Sequence, residues 1–437
     1  MTQASSPINN KVLSALSEIL IRFQKLHPKK IDLSLDRSKK LLKKLGNPEQ
    51  RISSPVVIAG TNGKGSTTNI LKSILKAHGK TCSSYISPNL VRVNERIIFE
   101  DEEISDEFLT EILLETERVN NGDLITYFEI FTCAAFLAYS KKKTDYTLLE
   151  IGMGGRFDPV SLAGNPKAYI FCPVSMDHEE FLGNTIEKIA REKIGTVKYD
   201  CPIIISKQVP EALKVFDEHT KNIKSQKIIY GEDFQGNIEQ NNKFIYQDED
   251  SLLDLNLPNL LGAHQIINSS VAIRTAKLLL GSLDTKKVNK GITSIKHKGR
   301  LEIISKGKLR DYITDQNILI CDGSHNTQGA EVTNQYLQTI KNKKIYMICG
   351  MINSKDPKEF LKHFTSTITA LKAITIPNQE NAIEAKVIAN IGNEFGIKSS
   401  ACKGIIEALR ESSNEDPNAV IIFSGSLYGV GEFLKLN

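Results

Sequence analysis

The chain has 437 residues, 40% hydrophobic and 24% charged, the make-up of an ordinary soluble globular protein of about two domains. Its 56 Lys and Arg against 51 Asp and Glu leave a net charge of +5, too small and too scattered to point to a nucleic-acid partner. No apolar run approaches the roughly 18–20 residues of a membrane helix, Met1–Asn10 lacks a signal-like apolar centre, and the nearest two of seven cysteines, Cys321 and Cys349, lie 28 positions apart, so membrane partners, secretion, zinc clusters and disulfide frameworks are set aside.

In chain order, apolar residues at 12, 13, 16, 19, 20, 23 and 26 follow the helical period and predict a helix over Val12–Leu26. Pro55–Ala59 reads as a buried strand running into Gly60, and Asn69–His78 as a helix stopped at Gly79. Thr147–Ile151 is a second such strand, entering Gly152-Met153-Gly154-Gly155. Ala168–Pro173 and Pro202–Ser206 read as further strands, with Ile186–Lys193 helical between them. Strands alternating with helices predict a parallel sheet covered on both faces. Gln235–Asp254 is polar and reads as a surface hairpin. Leu278–Lys298 turns polar and Lys-rich, which sets a domain boundary there, dividing 1–297 from 298–437. Beyond it a second series has strands at Asn317–Cys321, Lys344–Cys349, Ala373–Ile376 and Ala419–Phe423.

The densest chemical signal is Gly60-Thr61-Asn62-Gly63-Lys64-Gly65-Ser66-Thr67. Its glycines let backbone N–H groups turn toward an anion, and the following helix adds its positive end. Lys64 supplies a mobile charge for outer phosphates, and Ser66 or Thr67 a hydroxyl for a metal ion. A strand before and a helix after give the loop its required setting. The fold class is therefore α/β, with an N-terminal P-loop ATPase-like domain on a mostly parallel sheet and a smaller Rossmann-like C-terminal domain. The spelling departs from the common Walker form, because two residues, not four, separate Gly60 from Gly63-Lys64, and Gly65 follows the lysine.

That shorter loop resembles the ATP loop of the Mur ligase superfamily, and Gly65-Ser66 resembles its folate branch, dihydrofolate synthase/folylpolyglutamate synthase. Further segments resemble the family in the same order: Ser87-Pro88-Asn89-Leu90 with Asn94-Glu95-Arg96-Ile97, Leu149 to Asp158, Ser175-Met176-Asp177-His178, Ala190-Arg191-Glu192-Lys193-Ile194-Gly195, Leu261 to Asn268, Gly299-Arg300-Leu301-Glu302, Cys321 to Asn326 and Ser424 to Tyr428.

The resemblance implies an ATP-dependent ligase that adds L-glutamate to dihydropteroate, to reduced folates, or to both, through an acyl phosphate. It implies one or two Mg²⁺ ions, with Ser87, Glu150 and His178 as ligands, and a carbamylated Lys193 for a second ion. Lys64, Lys193, His178 and His325 take the catalytic roles. Asn268 lies near the adenine, Arg300 and His325 at the phosphates and Asp322 at the ribose. For the pterin acceptor the resemblance points to Ile31, Asp32 and Leu33, to Thr126, Tyr127, Phe128 and Glu129, and to Phe157, Asp158 and Pro159. The partners are small molecules, and a cytoplasmic monomer is expected.

Three departures accompany the match: Asn89 where His is usual, Asp158-Pro159-Val160-Ser161 for D-A-T-N, and His297-Lys298 where Trp-Pro is common. Two other readings compete. A peptidoglycan-precursor ligase is disfavoured by Gly65-Ser66, and a non-catalytic ATP-binding protein by the retained Glu150, His178 and Lys193. A simple kinase fits the loop spacing less well still.

Overall fold

The computed structural model describes residues 7–437 apart from 30, 222, 240 and 241. Pro55–Ala59 is the central strand of an eight-stranded sheet, paired in parallel with Tyr146–Glu150 on one side and Ala168–Phe171 on the other. Cys82–Tyr85, Ile203–Ile205 and Lys227–Ile229 extend the parallel run, while Ile97–Phe99 and Glu102–Glu103 add antiparallel at one edge. Every residue of Pro55–Ala59 is buried, as a strand covered on both faces must be. Val57 and Ala59 join one apolar core under the helices Asp106–Asn120 and Tyr127–Lys141. Val56 and Ile58 join the opposite core under Lys64–Ala77 and His264–Leu280. The expected doubly covered sheet is present.

The stretch read as a surface hairpin is instead a three-stranded antiparallel sheet, Phe234–Ile238, Lys243–Asp248 and Leu252–Asn256. Its alternate side chains Phe234, Phe244 and Tyr246 are buried in the second core. Two-residue alternation hid this face, because the polar residues between them dominate the average. The Lys-rich stretch contains a helix, Thr285–Ile292, capped by Asp284 and burying Val288, Gly291 and Ile292. It presses so close to Lys64–Ala77 that a Cβ on Gly291 would lie 2.8 Å from the Ile74 Cα.

A separate six-stranded sheet runs Glu302–Ile303, Ile318–Cys321, Val420–Ser424, Ile345–Cys349, Ala370–Ile374 and Lys398–Cys402, parallel except for the first. The strand read at Ala373–Ile376 begins earlier, since buried Lys372 breaks its apolar run and pairs outward with Glu411 and Glu415 at 3.0 and 2.6 Å. Lys398–Cys402 went unread because this edge strand has no apolar run at all. Among the described residues no helix is long and apolar enough to cross a membrane, and all seven cysteines are free.

Candidate active site

The loop after Pro55–Ala59 is held in an unusual backbone shape. Gly60 has φ +140°, and a Cβ there would lie 2.6 Å from the Cys172 Cβ, so only glycine fits. The Thr61 N–H donates to the Pro173 carbonyl at 2.8 Å, stitching the loop to the neighbouring strand end. Gly63, at φ +86°, opens the helix Lys64–Ala77, whose free N–H groups face the same cleft.

Two lysines meet over this loop. Lys64 Nζ donates to the carbonyls of Gly60 and Thr61, both at 3.1 Å. Lys193 Nζ, carried in by the helix Ile186–Ile194, donates to the same Gly60 carbonyl at 3.0 Å. Burial and then the nearby charge of Lys64 push Lys193 down to about 7. A large share of Lys193 is thus the uncharged amine near neutral pH.

Glu150 ends the strand Tyr146–Glu150, at the carboxyl edge where open α/β sheets bind ligands. Burial raises its carboxyl to about 7, against the pull of Lys64 and Arg300. His178 follows Asp177 with a left-handed backbone, φ 51°. Loss of hydration lowers its ring to about 4, outweighing Asp177, so it is neutral and free to ligate. A buried carboxylate that is costly to ionise alone, a neutral imidazole and the Ser87 loop alongside form a donor set that fits a divalent cation.

The second sheet supplies the facing wall. Asp322 accepts from the N–H of Leu301 at 2.9 Å and Ser324 at 3.0 Å, and from the Thr333 hydroxyl at 3.0 Å. Arg300 is folded over Gly323, where a Cβ would lie 2.6 Å from its Nη1. His325 donates from Nδ1 to the Gly323 carbonyl at 2.8 Å, and its Nε2 lies 3.8 Å from Asp177. Asn268 donates to Gln265 at 3.0 Å and sets its oxygen against Gly63. Nearby, burial lowers His264 to about 4, and its Nδ1 has no hydrogen-bond partner among the described residues.

One cleft of about 640 Å³ gathers Gly60 to Ser66, Ser87, Glu150, His178, Lys193, Asn268, Arg300, Asp322 and His325. Of the residues expected around nucleotide and metal, Thr67 alone is absent from its lining: its hydroxyl accepts the Cys172 thiol at 3.5 Å beneath the loop.

The ten acceptor residues expected from the sequence are outside this lining. Arg37 ties two of their stretches together, donating to Asp32 at 2.8 Å and to Glu129 at 3.0 Å. Thr126 and Glu129 form a capping box on the helix Tyr127–Lys141. Asp158 accepts at both carboxylate oxygens from the backbone N–H groups of Gly152, Met153 and Val160, at 2.9 to 3.0 Å. Phe128 packs on Gly152, and Tyr127 stacks on Phe131 at 5.9 Å. Pro159 is buried as the first residue of the short turn that Asp158 caps, while Ile31, Leu33 and Phe157 stay 37%, 38% and 38% exposed. Asn89 accepts from Arg96 at 2.8 Å, whose guanidinium lies over Tyr127 and Phe131.

Sequence reasoning missed a clasp across the cleft. Asn62 donates to Gln328 at 2.7 Å and to Asn326 at 3.2 Å, and Asn326 donates to Asp177 at 3.1 Å. Lys355 bonds closely to Asp177, both side chains being under a tenth exposed. Burial alone would raise Asp177, yet His325, His178 and Lys355 hold it well below the usual carboxylate range. His297 was also unassigned: its Nδ1 sits 3.3 Å from the Ser66 hydroxyl, and burial pushes it down to about 3.

The family model of the Mur ligase middle domain matches residues 58–276, and that of the dihydrofolate synthetase C-terminal domain matches 306–436. A dihydrofolate synthase/folylpolyglutamate synthase of Haemophilus influenzae is 28% identical, covering 97% of this chain and 98% of its own. The folylpolyglutamate synthase of Lacticaseibacillus casei is 29% identical over 89% and 90%. Among solved structures, E. coli FolC in complex with DHPP and ADP superimposes at TM-score 0.86, with 25% identity over 100% of this chain and 98% of that one. A folylpolyglutamate synthase of Thermotoga maritima superimposes at 0.80, with 27% identity and 98% of both chains covered. The chain belongs to the Mur ligase family, in its dihydrofolate synthase/folylpolyglutamate synthase branch.

Proposed function

We propose that this protein is an ATP-dependent ligase that adds L-glutamate to dihydropteroate and to reduced folates through an acyl phosphate. The observation that carries the reading is the meeting, in one cleft, of a phosphate loop bearing Lys64 with the buried acid Glu150 and the buried amine Lys193. In the first half-reaction an acceptor carboxylate oxygen attacks the γ-phosphorus and the bond to ADP breaks. In the second, the glutamate amine attacks the acyl carbon and phosphate departs with the bonding pair, the amine proton passing to solvent or a nearby base.

The chain's own part is positioning and charge balance. Lys64 leaves its two carbonyls for the phosphates, joined by the helix N–H groups and, from the other sheet, by Arg300 and His325. Thr61, Asn62, Gly63, Gly65, Ser66 and Thr67 shape the loop around them. Asp322 and Asn268 hold the ribose and adenine ends, where the unpartnered His264 Nδ1 awaits an acceptor. Ser87, Glu150 and His178 would hold Mg²⁺, which neutralises phosphate charge when bound. Lys193, uncharged in good part near neutral pH, is chemically suited to take up CO₂ as a carbamate, replacing a cation beside Lys64 with an anion. Ile31, Leu33 and Phe157 offer open apolar surface to a pterin, with Asp32 for its donor edge and Tyr127 and Phe128 behind. Thr126, Glu129, Asp158 and Pro159 fix the shape of that surface.

The test is incorporation of labelled L-glutamate by the purified protein with ATP, offering dihydropteroate and tetrahydrofolate separately. Transfer to both is expected. Transfer to neither overturns the reading, and transfer to one reduces it to that activity.

A further inference from the structure

A second cleft, of about 690 Å³, opens beside the first. Gly65, Ser87, Glu150 and Arg300 border both, so the two are continuous at the reaction centre. One wall is built by the outer face of Lys64–Ala77, the helix Thr285–Ile292 and the link that follows it. That wall is basic. Lys72 lies 3.8 Å from Asp101, and Lys76 bonds to the same carboxylate more closely. The acid Glu95 is turned inward, accepting the N–H groups of Leu90, Val91 and Arg92. Lys290, Lys296 and Lys298 stay exposed and form no ion pair among the described residues, although the charge of Lys296 helps lower the Asp101 carboxyl, and Glu103, beside Arg92, is a further acid of the lining. Like charges gathered on one wall repel, and the arrangement becomes favourable when a multiply charged anion lies along it.

The ligase reading, on which this inference rests, specifies such an anion. The reacting γ-carboxylate must sit at the junction with Lys64 and Glu150 while the pterin stays on its own surface, so a tail of several residues between them has to loop aside, and this cleft is the space that opens beside the junction. An acceptor that already carries γ-linked glutamates presents one free α-carboxylate per residue, because each link consumes only the γ-carboxylate. The cleft volume falls in the roughly 300–1,000 Å³ range of ligand sites, enough for several such residues. We propose that Lys290, Lys296 and Lys298 form a subsite for the α-carboxylates of an oligo-γ-glutamyl tail on the acceptor. Lys298 belongs to the His297-Lys298 departure, so the subsite is a feature of this chain's own sequence.

The test compares wild type with a Lys296→Gln/Lys298→Gln variant on dihydropteroate, a monoglutamyl and a triglutamyl reduced folate. Both side chains are exposed, and unchanged thermal unfolding checks the fold. KM for the triglutamyl acceptor should rise about fivefold, as loss of two exposed charge contacts allows, and that for dihydropteroate by less than about twofold. The difference should shrink at high salt. Calorimetry with free γ-linked triglutamate, which has no pterin, should show weaker binding to the variant. An unchanged triglutamyl KM, an equal rise for all acceptors, or a wild type that accepts dihydropteroate but refuses tailed folates overturns the subsite and leaves the ligase reading standing. Transfer to no acceptor at all overturns the ligase reading and the subsite with it.

Discussion

The phosphate cleft and the acceptor region both contain buried charge, but they treat it in opposite ways. In the cleft, Lys193 and Lys64 point at one carbonyl, and Glu150 is buried with a carboxyl pushed up to about 7. Around the acceptor residues, Arg37 is matched by Asp32 and Glu129, and although burial lifts the Asp158 carboxyl to about 6, three backbone N–H groups pull it back toward its ordinary range. Charge left in conflict marks where ligands complete the structure, whereas charge already satisfied marks where the scaffold is fixed.

On the conflicted side, Lys193→Ala should cost about 100-fold or more in kcat while leaving the fold intact, because burial and Lys64 both oppose the charged form of this amine and the fold gains little from it. Short carboxylates should restore part of the activity, and labelled bicarbonate should mark wild type at this lysine. Full activity in the variant would contradict the carbamate role. Glu150→Gln should weaken apparent Mg²⁺ affinity by about tenfold or more without lowering the melting temperature, since the acid is costly to bury ionised.

On the satisfied side the signs reverse. Glu129→Ala removes half a capping box and the Arg37 ion pair, and should destabilise by about 2 kcal/mol in denaturant titration. Its kcat with saturating acceptor should change far less than its stability. A loss of activity with no loss of stability would mean that Glu129 touches substrate.

The smallest effect concerns pH. His297 carries a folded value of about 3 against 6.5 unfolded, so between these the unfolded chain binds more protons. Stability from this group is complete above about pH 6.5 and falls as pH drops toward 3. The melting temperature should therefore decline from about pH 7 to about pH 5, and His297→Gln should flatten part of that slope.

The strand–loop–helix around Gly60–Thr67 was legible because its signals are local: an apolar run, glycines at turns, then a helical period. The two sheets followed from repetition of that unit. Hidden from the sequence were the features set by distant partners. Nothing near Lys355 says that it will meet Asp177, and nothing near His297 that it will lie against Ser66. The buried face of Phe234, Phe244 and Tyr246 was obscured by the polar residues alternating with it. Glu150 and Lys193 were singled out by resemblance alone, since their shifted acidity arises only from burial in the folded cleft.

The central claim is that an acceptor carboxylate takes the γ-phosphoryl group of ATP before glutamate joins it. An acceptor labelled with heavy oxygen in that carboxylate tests this directly in a single turnover. The account predicts one heavy oxygen per product recovered in the released phosphate. Recovery of that departing heavy oxygen in AMP or in water, with the phosphate unlabelled, would contradict it.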